Sequence, residues 1–204
     1  MTARVHIVGL TRPEDAAAAA EAGADGFGVS FWPLSTSSID VARACEIVAA
    51  LPRDALTMGM FVDAVPRVVE RTLEKTGIQL AVFAGTEDPA YCRGFEGRYV
   101  KVVRVRDLAS IEQIKEHACP FFVLDGDAAV HPGVREIPFD LNLARRAKRL
   151  GKVVVAGGLT AETVGSAVRA ARPYGVEVSA GVESAPGVKE LRLLRRFLEA
   201  AKVA

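Results

Sequence analysis

The chain has 204 residues, of which 50% are hydrophobic and 25% charged, and its net charge is +1. That balance belongs to a folded globule with a sizeable core and excludes a disordered chain. It also argues against a nucleic-acid surface, which needs a basic stripe, so no nucleic-acid partner is expected. No apolar run reaches membrane-spanning length, and Met1-Thr2-Ala3-Arg4 leads into a short strand-like run with no signal-peptide pattern, so no membrane partner is expected and the sequence reads as cytoplasmic.

Eight short apolar runs alternate with longer helical patterns. The first is Arg4–Gly9, followed by a helix predicted over Arg12–Ala22. Thr11 before Arg12-Pro13-Glu14 offers a hydroxyl N-cap, a proline in the first turn and a glutamate three positions after the cap, and Gly23 ends the Ala-rich segment. The pattern repeats as strand Gly26–Phe31 with helix Asp40–Leu51, Leu56–Val62 with Val65–Thr76, and Ile78–Phe83 with Pro89–Phe95. It continues as Arg98–Val103 with Leu108–His117, Phe121–Asp125 with Leu141–Leu150, and Lys152–Ala156 with Ala161–Ala171, where Thr160 is placed to cap. Gly175–Ser179 with Val188–Lys202 is the last unit, and Arg192, Arg195 and Arg196 read as the solvated face and C-terminal end of its helix. Strict alternation without a linker points to a parallel sheet with helices outside, and eight units in one domain favour closure into a (β/α)8 barrel. The Gly-x-Gly-x-x-Gly of a dinucleotide fold is absent from the first strand.

Cys45, Cys92 and Cys119 lack metal-ligand spacing, so neither metal nor cofactor is expected. Cys45 falls within a helical pattern and reads as a small buried hydrophobe, while a Cys92–Cys119 bridge stays open.

The last two strands end in glycine: Val153-Val154-Val155-Ala156-Gly157-Gly158-Leu159-Thr160 and Val176-Glu177-Val178-Ser179-Ala180-Gly181-Val182-Glu183. Glycine allows close backbone approach, and bare N–H groups at a helix start favour an anion. In a (β/α)8 barrel the loops after strands 7 and 8 are the usual phosphate cradle. Gly157, Gly158, Leu159, Ser179, Ala180 and Gly181 are therefore the candidate phosphate-binding residues, with Glu183 a structural anchor, since a carboxylate beside phosphate would repel it.

The order of motifs resembles the phosphoribosylanthranilate isomerase family of tryptophan biosynthesis across nearly the whole chain. Arg4-Val5-His6-Ile7-Val8-Gly9-Leu10-Thr11 is similar to its opening motif, and Ala22-Gly23-Ala24-Asp25-Gly26 with Phe31-Trp32-Pro33-Leu34-Ser35 to its second unit. Met58-Gly59-Met60-Phe61-Val62, the two glycine turns and Pro186-Gly187-Val188-Lys189 continue the match. The resemblance implies an Amadori-type aldose–ketose isomerisation of a phosphorylated sugar. It implies a general acid at Asp125, a cysteine base at the position Val8 occupies, and an arginine for the anthranilate carboxylate where Ser37 stands.

The family's strand-4 Gln-Leu-His-Gly is here Val82-Phe83-Ala84-Gly85, and Asp127 to Gly133 replace its Gly-rich loop. Valine exchanges no proton, and together these departures count against the family's full activity. Asp127 shares strand parity with Asp125 and is a second candidate carboxylate, though a solvated loop aspartate is the favoured reading. His131 reads as an exposed loop histidine, and His6 as a satisfied interior one about two residues below Val8. Three readings stand: an isomerase with a displaced base, a diverged relative acting on another phosphorylated sugar, and a non-catalytic phosphosugar-binding or subunit-interaction protein. A homodimer or a pathway-enzyme partner stays open.

Overall fold

Residues 2–126 and 140–204 are described by the computed structural model of the chain. The apolar runs form β1 (Arg4–Ile7), β2 (Gly26–Ser30), β3 (Leu56–Phe61), β4 (Leu80–Phe83), β5 (Tyr99–Arg104), β6 (Phe122–Asp125), β7 (Val153–Ala156) and β8 (Gly175–Val178). Each pairs in parallel with the next, and β8 returns to β1 with Val5 opposite Val176 and His6 opposite Glu177. The result is the expected closed (β/α)8 barrel. Its helices are α1 (Pro13–Glu21), α2 (Val41–Ala49), α3 (Pro66–Thr76), α4 (Pro89–Arg93), α5 (Leu108–Glu112), α6 (Leu141–Ala147), α7 (Val164–Ala171) and α8 (Leu191–Val203).

Period-two alternation divides the strand side chains between two cores. Met58, Leu80, Val82, Val100, Val123 and Val154 fill the barrel, while Val5, Ile7, Phe27, Val176 and Val178 face the helices. Strand β2 makes room for its neighbour. A Cβ on Gly26 would lie 2.8 Å from the His6 ring, and one on Gly28 2.6 Å from Val8 Cγ1. His6 and Val8 therefore both point into the barrel, as their shared parity predicts.

A polar knot fixes the loops after β3 and β4. Glu87 accepts from Asp63 N at 2.8 Å and Gly85 N at 3.0 Å, and pairs with Lys101 Nζ at 2.7 Å. Lys101 also donates to Gly85 O at 2.9 Å, so the buried pair satisfies backbone groups and each other.

Several local expectations change. Thr11 does not cap α1: Arg12 holds the N-cap position, and the Thr11 hydroxyl instead donates to Gly187 O at 2.6 Å, tying the first loop to the last. Helix α7 begins at Val164, because Thr160 and Thr163 form a preceding turn in which Thr163 Oγ1 accepts from Thr160 N at 2.9 Å. The segment expected to open the last helix pairs instead as β10 (Val188–Lys189) against β9 (Glu183–Ala185). Arg192, Arg195 and Arg196 are exposed as expected, but Arg192 lies in the first turn of α8, not at its C-terminal end. Cys45 is only partly buried, with its thiol donating to Lys75 O at 3.4 Å, and all three cysteines are free. No helix among the described residues is long and apolar enough to cross a membrane, and no group of three or more His, Cys, Asp or Glu among them could hold a metal ion.

Candidate active site

The C-terminal ends of the strands gather most of the residues singled out by sequence. At the end of β1, Val8 N donates to Val178 O at 3.0 Å, and the next residue, Gly9, has φ +66°. A Cβ there would lie 2.4 Å from Ser179 Oγ, 3.1 Å from Ser37 Oγ and 3.4 Å from Lys189 Nζ. Gly9 is thus the point where the loops after β1, β2 and β8 converge. Ser37 is buried against it, with its hydroxyl 3.1 Å from Ser35 Oγ.

The two glycine turns lie side by side. Gly157 and Gly158 have φ of +87° and +64°, a conformation that side chains disfavour. Gly181 is required by contact, since its Cβ would sit 2.0 Å from Leu159 O. Strand β8 runs into a short 3-10 turn, Ala180–Val182, at the same end of the barrel as the Gly157-Gly158 turn. Gly158 and Ala180 are exposed, while Leu159 is buried and pins the turn.

Beneath the last loop lies a cation that the sequence reading did not single out. The Lys189 side chain is fully buried, and its ammonium donates to Glu183 at 2.6 Å and to Ser179 O and Oγ, each at 3.3 Å. Its backbone N–H donates to Asp15 at 3.0 Å. Burial pulls the Lys189 pKa down, and the bond to Glu183 opposes that shift. Glu183 is therefore the loop anchor that was expected.

Asp125 ends β6, opposite Arg104 of β5 and Ala156 of β7. It belongs to the row of Phe121 and Val123, which line the barrel, so it faces inward at the mouth. Asp127 and His131 lie outside the described residues.

The interior holds a second carboxylate that the sequence reading missed. Glu177 stands between Val176 and Val178, both of which face the helices, so it points into the barrel. Its Oε2 is 3.9 Å from His6 Nδ1, too far for a hydrogen bond. Burial, reinforced by the charge of Asp125, pushes Glu177 up to about 8. His6 is also not the satisfied interior histidine expected: neither ring nitrogen has a hydrogen-bond partner, and its ring packs on Phe121 with centroids 5.3 Å apart. Burial lowers its pKa to about 4; the charge of Asp25 opposes the shift and Arg4 adds to it. At neutral pH both groups are uncharged, so their contact is polar rather than ionic. The available signal was parity: a lone carboxylate between two outward valines of a barrel strand has to face inside.

A (β/α)8 barrel carrying inward carboxylates and two glycine turns at the C-terminal end of its strands has the layout of a barrel enzyme. Residues 5–200 match the family model described as N-(5'phosphoribosyl)anthranilate (PRA) isomerase. The chain is 39% identical over 199 residues to the N-(5'-phosphoribosyl)anthranilate isomerase of Geobacter metallireducens, covering 98% of each chain. It is 40% identical over 204 residues to that of Pseudomonas putida, again covering 98% of each. The crystal structure of phosphoribosyl anthranilate isomerase from Thermotoga maritima superimposes with a TM-score of 0.89 at 29% identity, covering 99% of this chain and 100% of that one. A phosphoribosyl anthranilate isomerase in complex with reduced 1-(o-carboxyphenylamino)-1-deoxyribulose 5-phosphate gives 0.86 at 29% identity, with the same coverage. The chain belongs to the N-(5'-phosphoribosyl)anthranilate isomerase family of tryptophan biosynthesis.

Proposed function

We propose that the chain catalyses the family reaction, the Amadori rearrangement of N-(5'-phosphoribosyl)anthranilate to the corresponding 1-amino-1-deoxyribulose 5-phosphate. The observation that carries this reading is Asp125 facing inward at the same mouth as the two abutting glycine turns. The phosphate sits on backbone N–H groups of Gly157, Gly158, Leu159, Ala180 and Gly181, with Ser179 on the same loop. Bare backbone N–H groups favour an anion, and Gly157, Gly158 and Gly181 put no side chain over them. Lys189 and Glu183 hold this loop in shape and neutralise each other there.

Anchored by its phosphate, the ribose reaches across the mouth towards Asp125. Asp125 acts as general acid: it protonates the furanose oxygen, the C1–O bond breaks, and the nitrogen lone pair forms a C1=N bond. A base then takes the proton from C2; the C–H electrons form C1=C2 and the C1=N π electrons return to nitrogen. Tautomerisation of this enolamine, with loss of the hydroxyl proton and protonation at C1, gives the ketose. The ring opening and the C2 proton abstraction each call for proton transfer, typically worth ~10²–10⁴-fold. Ser37 lies beside the first loop and supplies a hydroxyl, not a cation, towards the aminobenzoate.

Membership of the family along the whole chain supports this reading over a diverged paralogue or a binding protein. The test is growth of a tryptophan auxotroph lacking the isomerase, with and without this gene, paired with turnover by the purified protein. Growth and turnover are expected. A folded protein that binds the reduced product analogue yet supports neither overturns the proposal.

A further inference from the structure

The proposed substrate carries two anionic groups, the 5'-phosphate and the carboxylate of its ring, and the two glycine turns account for the first. We infer that Arg104, at the C-terminal end of β5, receives the ring carboxylate and so selects an arylamine that bears one. The inference rests on the isomerase reading and adds to it the residue that recognises the aglycone.

Strand alternation sets the direction of Arg104. Val100 and Val102 line the barrel while Val103 faces the helices, so Arg104 belongs to the inward row. It is exposed at the strand end, whereas Val100 beneath it is buried. Register then fixes its level. Arg104 is opposite Asp125, and Asp125 is opposite Ala156, the residue that leads into the Gly157-Gly158 turn. All three belong to inward rows, so cation, acid and phosphate turn follow one another along the strand ends. Adjacent strands lie ~4.8 Å apart, which puts Arg104 one strand beyond the acid and two from the turn.

The substrate has the same order: phosphate, sugar ring oxygen, then aryl carboxylate. With its phosphate on the turns of β7 and β8 and its ring oxygen at Asp125, the next group falls towards β5. Ser37 packs against Gly9 at the end of β1, which in an eight-stranded barrel stands across the mouth from β5. An aromatic ring lying between them meets a hydroxyl on one side and a cation on the other. Charge at the rim narrows the choice further. Among the described residues of the strand ends and the loops that follow them, Lys101 is paired with Glu87, Lys189 with Glu183 and Arg12 with Asp15. Arg106 lies two residues further out, past the end of β5. A guanidinium stays charged at every working pH and meets a carboxylate with two parallel N–H donors.

The test compares N-(5'-phosphoribosyl)anthranilate with N-(5'-phosphoribosyl)aniline, which lacks the carboxylate, in wild type, Arg104→Gln and Arg104→Lys. Arg104 is exposed, so the fold should be retained, and thermal unfolding checks this in each variant. Wild type is expected to prefer the carboxylate substrate by about 10- to 100-fold in kcat/KM, the scale of a charged hydrogen-bonded pair. Arg104→Gln should erase that preference, chiefly through KM. It should weaken binding of the reduced product analogue, which keeps the carboxylate, by a similar factor. Arg104→Lys should retain part of both, since it keeps the charge and loses the fork geometry. A glutamine variant that keeps the substrate preference and holds the analogue as tightly as wild type overturns the inference while the isomerase reading stands. One that weakens inorganic sulfate and both substrates equally assigns Arg104 to the phosphate, and also overturns it. A wild type that binds the analogue without turnover overturns the isomerase reading, while analogue affinity in the variants still decides whether Arg104 holds the carboxylate.

Discussion

At the scale of single residues, the mouth is organised by which groups carry charge at neutral pH. Asp125 stands at the end of an apolar strand, where an ionisable group is costly unless it is used or paired. Its charge adds to burial in raising the pKa of Glu177 within the same barrel, so Glu177 holds its proton at neutral pH. Asp125→Asn keeps shape and removes the transferable proton. We expect kcat for the family substrate to fall by about 10²-fold or more, with affinity for the reduced product analogue within a few-fold of wild type. Steady-state kinetics with a binding measurement checks this, and an unchanged kcat removes Asp125 from the chemistry. Asp125 was legible in the sequence because it ends an apolar run. Glu177 was not, because its run of valines hid the one polar residue that alternation sends inward.

At the scale of elements, glycine and buried charge fix the loops. Gly181 meets Leu159 O so closely that Gly181→Ala must push the two loops apart. That change is expected to weaken sulfate binding and to raise KM by 10-fold or more, at a stability cost of ~1–3 kcal/mol. Calorimetric titration with sulfate reads the first effect and thermal unfolding the last; unaltered sulfate affinity would place the anion elsewhere. The Lys101–Glu87 pair fixes the loops after β3 and β4. Lys101→Met leaves the Glu87 carboxylate buried without its cation and is expected to cost ~3–5 kcal/mol, read by urea denaturation. A loss below ~1 kcal/mol would show that Glu87 finds solvent. The glycine turns and strand–helix alternation were readable because they follow local backbone rules. The Thr11 bond to Gly187 was not, because barrel closure alone brings those residues together, and the β9–β10 hairpin with its Lys189–Glu183 pair was not, because Val188 and Lys189 read as the start of the last helix.

For the whole molecule, closure places two unlike titrating groups inside one barrel, and their opposite shifts should shape stability against pH. An unfolded glutamate loses its proton near 4.5, whereas Glu177 in the folded barrel holds it to about 8. Between those values the native state binds the extra proton, so stability falls as pH rises. His6 works the other way: unfolded, it takes a proton near 6.5, but folded only near 4, so stability falls as pH drops through that window. The two slopes oppose each other from pH 4.5 to 6.5, leaving a plateau from these groups. Above 6.5 only the Glu177 slope remains, and it approaches ~1.4 kcal/mol per pH unit up to about 8. Urea denaturation at closely spaced pH values should show this decline in wild type and lose it in Glu177→Gln. Wild-type stability that is flat from 6.5 to 8, or a decline that the glutamine variant keeps, would mean that Glu177 is already ionised in the folded barrel. The attraction of its carboxylate for a proton would then be that of an ordinary exposed glutamate.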